Sequence, residues 1–192
     1  AFARGASAIH AAAPQLTVEK CLPSEELLPE LLRVELVAYP EGFRYDAGYF
    51  RMRFMQQNAE ILLLRHQGAV VGFALTYASQ LRPPDEVYLD NIAILPAYQS
   101  KGLGSAVLKT ISGLATVRGR SRIHALVEPE AQSQRLLRFY ERNGFHALGD
   151  FRGLGTHVEK ILGITGPDNR EAVDAILAEA TRSEERRVGK EC

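Results

Sequence analysis

Apolar residues recur along the chain at two periods, and the switching between them lays out the elements. Residues 15–20 alternate at period two and predict a short strand. Pro23-Ser24-Glu25-Glu26 predicts a helix start, with Ser24 as cap and two acids in the first turn. Leu27, Leu31 and Val34 carry that helix toward Ala38, and Tyr39-Pro40-Glu41-Gly42 breaks it. A second helix is predicted over 49–57, with Phe50, Phe54 and Met55 apolar. Residues 59–66 and 69–78 read as the two strands of an antiparallel hairpin turning at Gln67-Gly68. A proline-containing loop over 80–84 leads to a long strand over 87–95. Leu103, Val107, Ile111 and Leu114 then mark one face of a helix over 105–117. A buried strand over 122–127, a helix over 131–142, strands over 145–151 and 157–162 and a helix-like run over 168–181 complete the pattern. In that last run Val173, Ile176, Leu177 and Ala180 share a side. Strands that alternate with helices, then pair as hairpins, then alternate again predict a mixed α/β (α+β) sheet flanked by helices.

The 192 residues suit a single domain, and 46% hydrophobic with 24% charged residues is a globular composition. A net charge of zero gives no electrostatic case for nucleic acid or a membrane surface as partner. No apolar run approaches the ~18 residues of a membrane span. Cys21 and Cys192 make no disulfide framework, so a cytoplasmic location is expected. The five histidines show no metal-ligand spacing, so no metal is expected. Residues 1–14 read as a linker or truncated edge, 15–164 as the domain and 165–181 as an extra C-terminal helix. Residues 182–192 look like a translated sequencing-library adaptor and are set aside.

The sharpest chemical signal is Gln99-Ser100-Lys101-Gly102-Leu103-Gly104, between the long strand and the helix that follows. A turn opening a helix presents backbone N–H groups without intrahelical partners, and the macrodipole favours an anion there. Gly102 and Gly104 are expected to let a phosphate approach the backbone. A Walker loop would need Lys-Ser/Thr after its last glycine, where Ser105-Ala106 stands; a dinucleotide fingerprint would need a third small residue, where Val107 stands.

The run from Leu89 to Gly104, with Asp90-Asn91-Ile92-Ala93-Ile94 before Leu95-Pro96, resembles the cofactor-binding signature of the GNAT acetyltransferases. Leu136-Leu137-Arg138-Phe139-Tyr140-Glu141-Arg142-Asn143-Gly144-Phe145 resembles that family's helix bearing a tyrosine, followed by a Gly-Phe turn. The likeness covers roughly residues 15–163. It implies a GNAT fold: a mixed, mostly antiparallel sheet whose fourth and fifth strands splay apart to admit acetyl-CoA. Backbone groups of Ile92, Ala93 and Ile94 would meet the pantetheine arm, and Gln99, Ser100, Lys101, Gly102, Leu103, Gly104 and Ser105 the pyrophosphate. Ser133 stands where the family often has a cofactor-contacting asparagine, and serine there is a departure.

Acetyl transfer needs a neutral amine and a stabilised leaving thiolate, hence a base and an acid. By the same resemblance Tyr140 is the acid, also a contact of the cofactor, and Glu128 the base, with Asp90 as the other candidate carboxylate. Asn91-Ile92-Ala93 and Glu128 are slightly nearer to the branch that acetylates N-terminal amines of ribosomal proteins. Lys101, or the arginines 118, 120 and 122, are candidates for CoA phosphates. Residues 44–46, 49–51 and 151–157 would line the acceptor pocket. The expected activity is N-acetylation of a primary amine on a peptide N-terminus, amino acid or small molecule, by a monomer or homodimer without metal. Two alternatives stay open: a non-catalytic acyl-CoA-binding regulatory module of a larger protein, and a nucleotide-binding enzyme using the glycine loop.

Overall fold

Seven strands join into one sheet in the order β1-β2-β3-β4-β5-β7-β6, and only the β4–β5 pair is parallel. The computed structural model describes residues 16–78, 83, 85–129, 133–150 and 152–162. The helix expected over 168–181 and the segments 1–14, 165–181 and 182–192 lie outside these residues. The elements are β1 (Leu16–Cys21), α1 (Leu28–Ala38), α2 (Ala47–Phe54), β2 (Glu60–His66), β3 (Ala69–Tyr77), β4 (Glu86–Ile94), α3 (Leu103–Val117), β5 (Arg122–Val127), α4 (Ser133–Arg142), β6 (His146–Asp150) and β7 (Thr156–Ile161).

The first two helix starts differ from expectation. Ser24 is not a helix cap: its carbonyl accepts the Leu27 N–H at 3.2 Å in a preceding turn. The helix begins only at Leu28, with Pro29 in its first turn, where a missing N–H costs nothing. For α2 the cap is Asp46, whose Oδ1 accepts the Tyr49 N–H at 2.8 Å, so the helix starts two residues before the expected position.

The sheet is covered on both faces, and each face has its own core. Leu28, Leu31 and Val34 of α1 and Phe50 of α2 pack with Ile61, Leu63, Phe73, Leu75 and Ala93 on one face. Leu103, Val107 and Ile111 of α3 and Tyr140 of α4 pack with Leu62, Leu89, Ile123, Ala125 and Val158 on the other. Successive strand side chains point to opposite faces, and β4 feeds both cores, with Leu89 in one and Ala93 in the other.

The feature that makes a cleft lies in the middle of this sheet. Leu75 pairs with Asn91 but Thr76 with Leu89, so Asp90 is one extra residue in β4, a β-bulge. Pairing between β4 and β5 runs from Glu86↔Arg122 to Leu89↔Ala125 and stops there. Both strands continue, β4 against β3 as far as Ile94 and β5 against β7 as far as Val127. The two strands therefore part immediately beyond the bulge, as expected from the resemblance.

Candidate active site

Beyond the bulge, the β4 carbonyls that do not face β3 are met by side chains. The Tyr39 hydroxyl lies 2.8 Å from the Ile92 carbonyl and 3.0 Å from Asn91 Oδ1, and shares its one proton between them. Gln99 Nε2 donates to the Ile94 carbonyl at 2.8 Å, tying the loop to the end of the strand. Leu95 N–H donates to Val71 of β3 at 2.9 Å, so by alternation the N–H groups of Ile92 and Ile94 face the split and that of Ala93 faces β3.

The loop after β4 makes a 3₁₀ turn over Pro96–Tyr98, then passes through left-handed Ser100 (φ 59°) and Gly102 (φ 76°) into α3. The helix starts at Leu103, the first residue of its apolar face and two residues before the expected 105. Gly102 is required by its conformation, since a Cβ there meets nothing within 4 Å but the backbone is one that L residues rarely adopt. Gly104 has a different reason from the one expected: a Cβ would lie 3.1 Å from the Phe139 ring, so this glycine lets α3 and α4 pack closely. Ser105 is exposed in the first turn of α3, and Ser133 opens α4.

A groove of about 620 Å³ flanks the mouth of α3, lined by Gly102, Ser105, Lys109, Arg142, Asn143 and Lys160 among others. Three cations beside helical N–H groups fit a polyphosphate. Lys109, Arg142 and Lys160 were not singled out as phosphate ligands by sequence, because they come from two helices and a strand. Two of the arginines that were singled out are engaged elsewhere. Arg118 Nη2 donates to Glu60 at 2.8 Å, and Arg122 Nη1 lies 3.3 Å from Glu159. Lys101 lies over the Tyr98 ring at 5.6 Å and is exposed.

On the α1–α2 face, a polar network links both candidate carboxylates. Asp90, its side chain only 2% exposed, accepts from Tyr49 at 3.0 Å and from Tyr77 at 3.1 Å. Arg53 Nε lies 3.0 Å from Oδ1, off the line of a hydrogen bond, and acts as counter-charge. Burial nevertheless holds the Asp90 carboxyl above the usual range, against the opposing pull of Arg53 and both tyrosines. Glu128 stands just past the end of β5, half-buried, with Oε1 accepting the Tyr45 hydroxyl at 2.7 Å. Tyr45 and Tyr49 stack with centroids 3.7 Å apart and planes 4° from parallel. Behind them, Glu35 is buried and accepts the Tyr45 N–H and Asn91 Nδ2. Burial raises its pKa, outweighing those two hydrogen bonds.

Glu35, Tyr39, Arg53 and Tyr77 were missed by sequence reasoning. Glu35 did carry a signal: it follows Leu28 and Leu31 on the buried face of α1, where a carboxylate has no packing purpose. Of the expected acceptor-pocket residues, Tyr45 and Tyr49 join the network, Phe50 is core, and Arg51 pairs with Glu25 on the surface. Phe151 lies outside the described residues, and His157 stacks on buried His124.

Tyr140 sits on the opposite face, packed edge-on against Phe145 (5.1 Å) and Phe139 (5.4 Å). Burial pushes its phenol pKa up, with a smaller contribution from Tyr88 of β4. The Glu128 network and Tyr140 are on different sides of the sheet, and the β4–β5 split is what joins those sides. No three His, Cys, Asp or Glu side chains are placed to hold a metal, and no helix is long and apolar enough to cross a membrane, among the described residues.

The parallel strand pair parts after Leu89↔Ala125, and β4 leads through a left-handed glycine to a cation-lined helix mouth, the layout that the sequence resemblance implies. The chain belongs to the acetyltransferase (GNAT) family, whose model matches residues 25–145. Its fold is similar to that of the ribosomal-protein-S18-alanine N-acetyltransferase of Escherichia coli, with 21% identity and a TM-score of 0.62 over 79% of this chain and 97% of that one. PaiA N-acetyltransferase of Thermoplasma acidophilum, solved with coenzyme A, is similar at 18% identity and a TM-score of 0.58, over 76% and 99% of the two chains. Ard1 of Thermoplasma volcanium gives 15% identity and a TM-score of 0.61, over 78% and 99%. A comparison with curated protein sequences finds no match.

Proposed function

We propose that this protein N-acetylates a primary amine by direct attack, with Glu128 as general base and Tyr140 as proton donor. The observation that carries this reading is the end of β4–β5 pairing at Leu89↔Ala125, which opens one space to residues of both sheet faces. Acetyl-CoA supplies an activated thioester, whose C–S bond breaks as the amine forms the new N–C bond. The N–H groups of Ile92 and Ile94 face its pantetheine arm, the N–H groups at the mouth of α3 its pyrophosphate, and Lys109, Arg142 and Lys160 its remaining phosphate. Glu128 takes the amine proton through its free oxygen. Tyr140 gives its proton to the departing sulfur and recovers one from solvent. Because burial disfavours the phenolate, Tyr140 is in its donating form throughout the neutral range.

Asp90 has a different role in this scheme. With Tyr49, Tyr77 and Arg53 around it, it pins the bulge that separates the strands. The acceptor we favour is a peptide N-terminus, supported by Asn91-Ile92-Ala93 and by the position of Glu128 past the end of β5. The test is thiol release from acetyl-CoA with three acceptors: a peptide with a free N-terminal alanine, free alanine, and spermidine. We expect turnover on the peptide, reduced about 10²–10⁴-fold by Glu128→Gln. Wild-type turnover in that variant would remove Glu128 from the reaction. CoA should raise the Tm, whereas ATP and NAD at equal concentration should not.

A further inference from the structure

Tyr45 lies between the 3₁₀ turn at Glu41–Phe43 and α2, and general features of acetyl transfer ask for no tyrosine there. It is nevertheless held from three directions. Its N–H donates to the buried Glu35 carboxylate at 3.1 Å, its ring lies flat on Tyr49, and its hydroxyl donates to Glu128 at 2.7 Å. Tyr49 is itself fixed, by the Asp46 cap at its N–H and by Asp90 at its hydroxyl. The ring sits in a stack whose two ends are hydrogen-bonded to separate carboxylates.

Glu128 has the opposite character. It follows the last paired residue of β5, Val127↔Thr156, and precedes Pro129, so no strand ladder orders it. A glutamate side chain left free there would keep its rotamer freedom and spend little time in any one orientation. Among the described residues its carboxylate has one hydrogen bond, the one from Tyr45.

We propose that Tyr45 is a positioning residue for acetyl transfer. It anchors Glu128 by Oε1 and leaves Oε2 directed to the amine, so that the base is already in place when the acceptor arrives. The inference rests on the assignment of Glu128 as base.

The test uses Tyr45→Phe, which keeps the ring stack and deletes the tether, alongside Glu128→Gln and the double variant. All three are assayed with whichever of the three acceptors turns over fastest. Tyr45→Phe is expected to lower kcat about 10–100-fold, the usual net weight of a hydrogen bond to a charged group, with KM for acetyl-CoA unchanged and Tm lowered by a few degrees at most. The double variant should be no slower than Glu128→Gln alone, because a tether without its base has nothing left to position. A Tyr45→Phe enzyme of wild-type kcat beside a crippled Glu128→Gln overturns this proposal and leaves the base assignment standing. So does a Tyr45 effect that adds fully to that of Glu128→Gln. An active Glu128→Gln, or no turnover on any amine, overturns the base assignment and this proposal with it.

Discussion

Gly155 tests whether the end of β5 must sit where it does. It precedes β7 at φ 141°, and its backbone passes directly against the start of the Glu128 segment. A Cβ there would lie 2.3 Å from the Val127 carbonyl oxygen and 3.0 Å from both Val127 C and Glu128 Cα. All three neighbours are backbone, so no side chain can rotate out of the way. Restoring ordinary contact needs a relative shift approaching 1 Å. For Gly155→Ala we add about 1–3 kcal/mol for an L residue in this region of φ and about 1–3 kcal/mol for overpacking. The loss of ~2–6 kcal/mol corresponds to a Tm drop of roughly 5–20 °C for a chain of this size. On the proposed mechanism, Glu128 displaced by about 1 Å loses on the order of 10² in rate. The proposed CoA site at the mouth of α3 is built from other residues, so CoA should still raise the Tm of the variant. Gly153→Ala is the control: it also has positive φ (75°) but a Cβ there meets nothing within 4 Å, so it should cost stability and leave kcat within twofold or so. Stopped-turnover thiol release and thermal titration read both quantities. Wild-type kcat and Tm in Gly155→Ala would refute the reasoning, because the close approach would then have no consequence.

Gly102→Asp puts a carboxylate and an L side chain at a left-handed helix mouth, and should weaken CoA binding more than about 100-fold by calorimetry, with a folded far-UV spectrum retained. Arg142→Glu and Lys109→Glu should each raise Kd for CoA while changing Kd for dephospho-CoA much less, if the groove beside α3 holds the 3′-phosphate. Burial raises the phenol pKa of Tyr45, Tyr49, Tyr77 and Tyr140 above the ordinary 10.0. Above pH 10 the unfolded chain therefore loses protons that the folded chain keeps, so stability present below pH 10 falls as pH rises further. Absorbance at 295 nm should show these phenols ionising only as the protein unfolds, and a normal reversible titration of all seven tyrosines would contradict it. Phe50→Ala removes a fully buried ring between α2 and the sheet and should cost about 3–5 kcal/mol in urea unfolding.

Much of this molecule is legible in one dimension. Strand and helix periods are set by residues a few positions apart, so the order of elements could be read from Leu103, Val107 and Ile111 or from the turn at Gln67-Gly68 without knowing what they pack against. The left-handed glycine at 102 is likewise a local requirement, visible as a short motif between a strand and a helix. Helix starts were less legible: Ser24 offers a cap that α1 does not use, while α2 is capped by Asp46 and starts two residues before its expected position. Gly104 reads as a phosphate contact until Phe139 arrives from another helix at 3.1 Å. The partners of Asp90 and Glu128 come from residues 41 and 83 positions away, Tyr49 and Tyr45. Hydrogen bonds and burial act over a few ångströms in space, whatever the separation along the chain. Residue type therefore announces what chemistry is available, and the bulge at Asp90, by parting two strands, decides which of those groups meet.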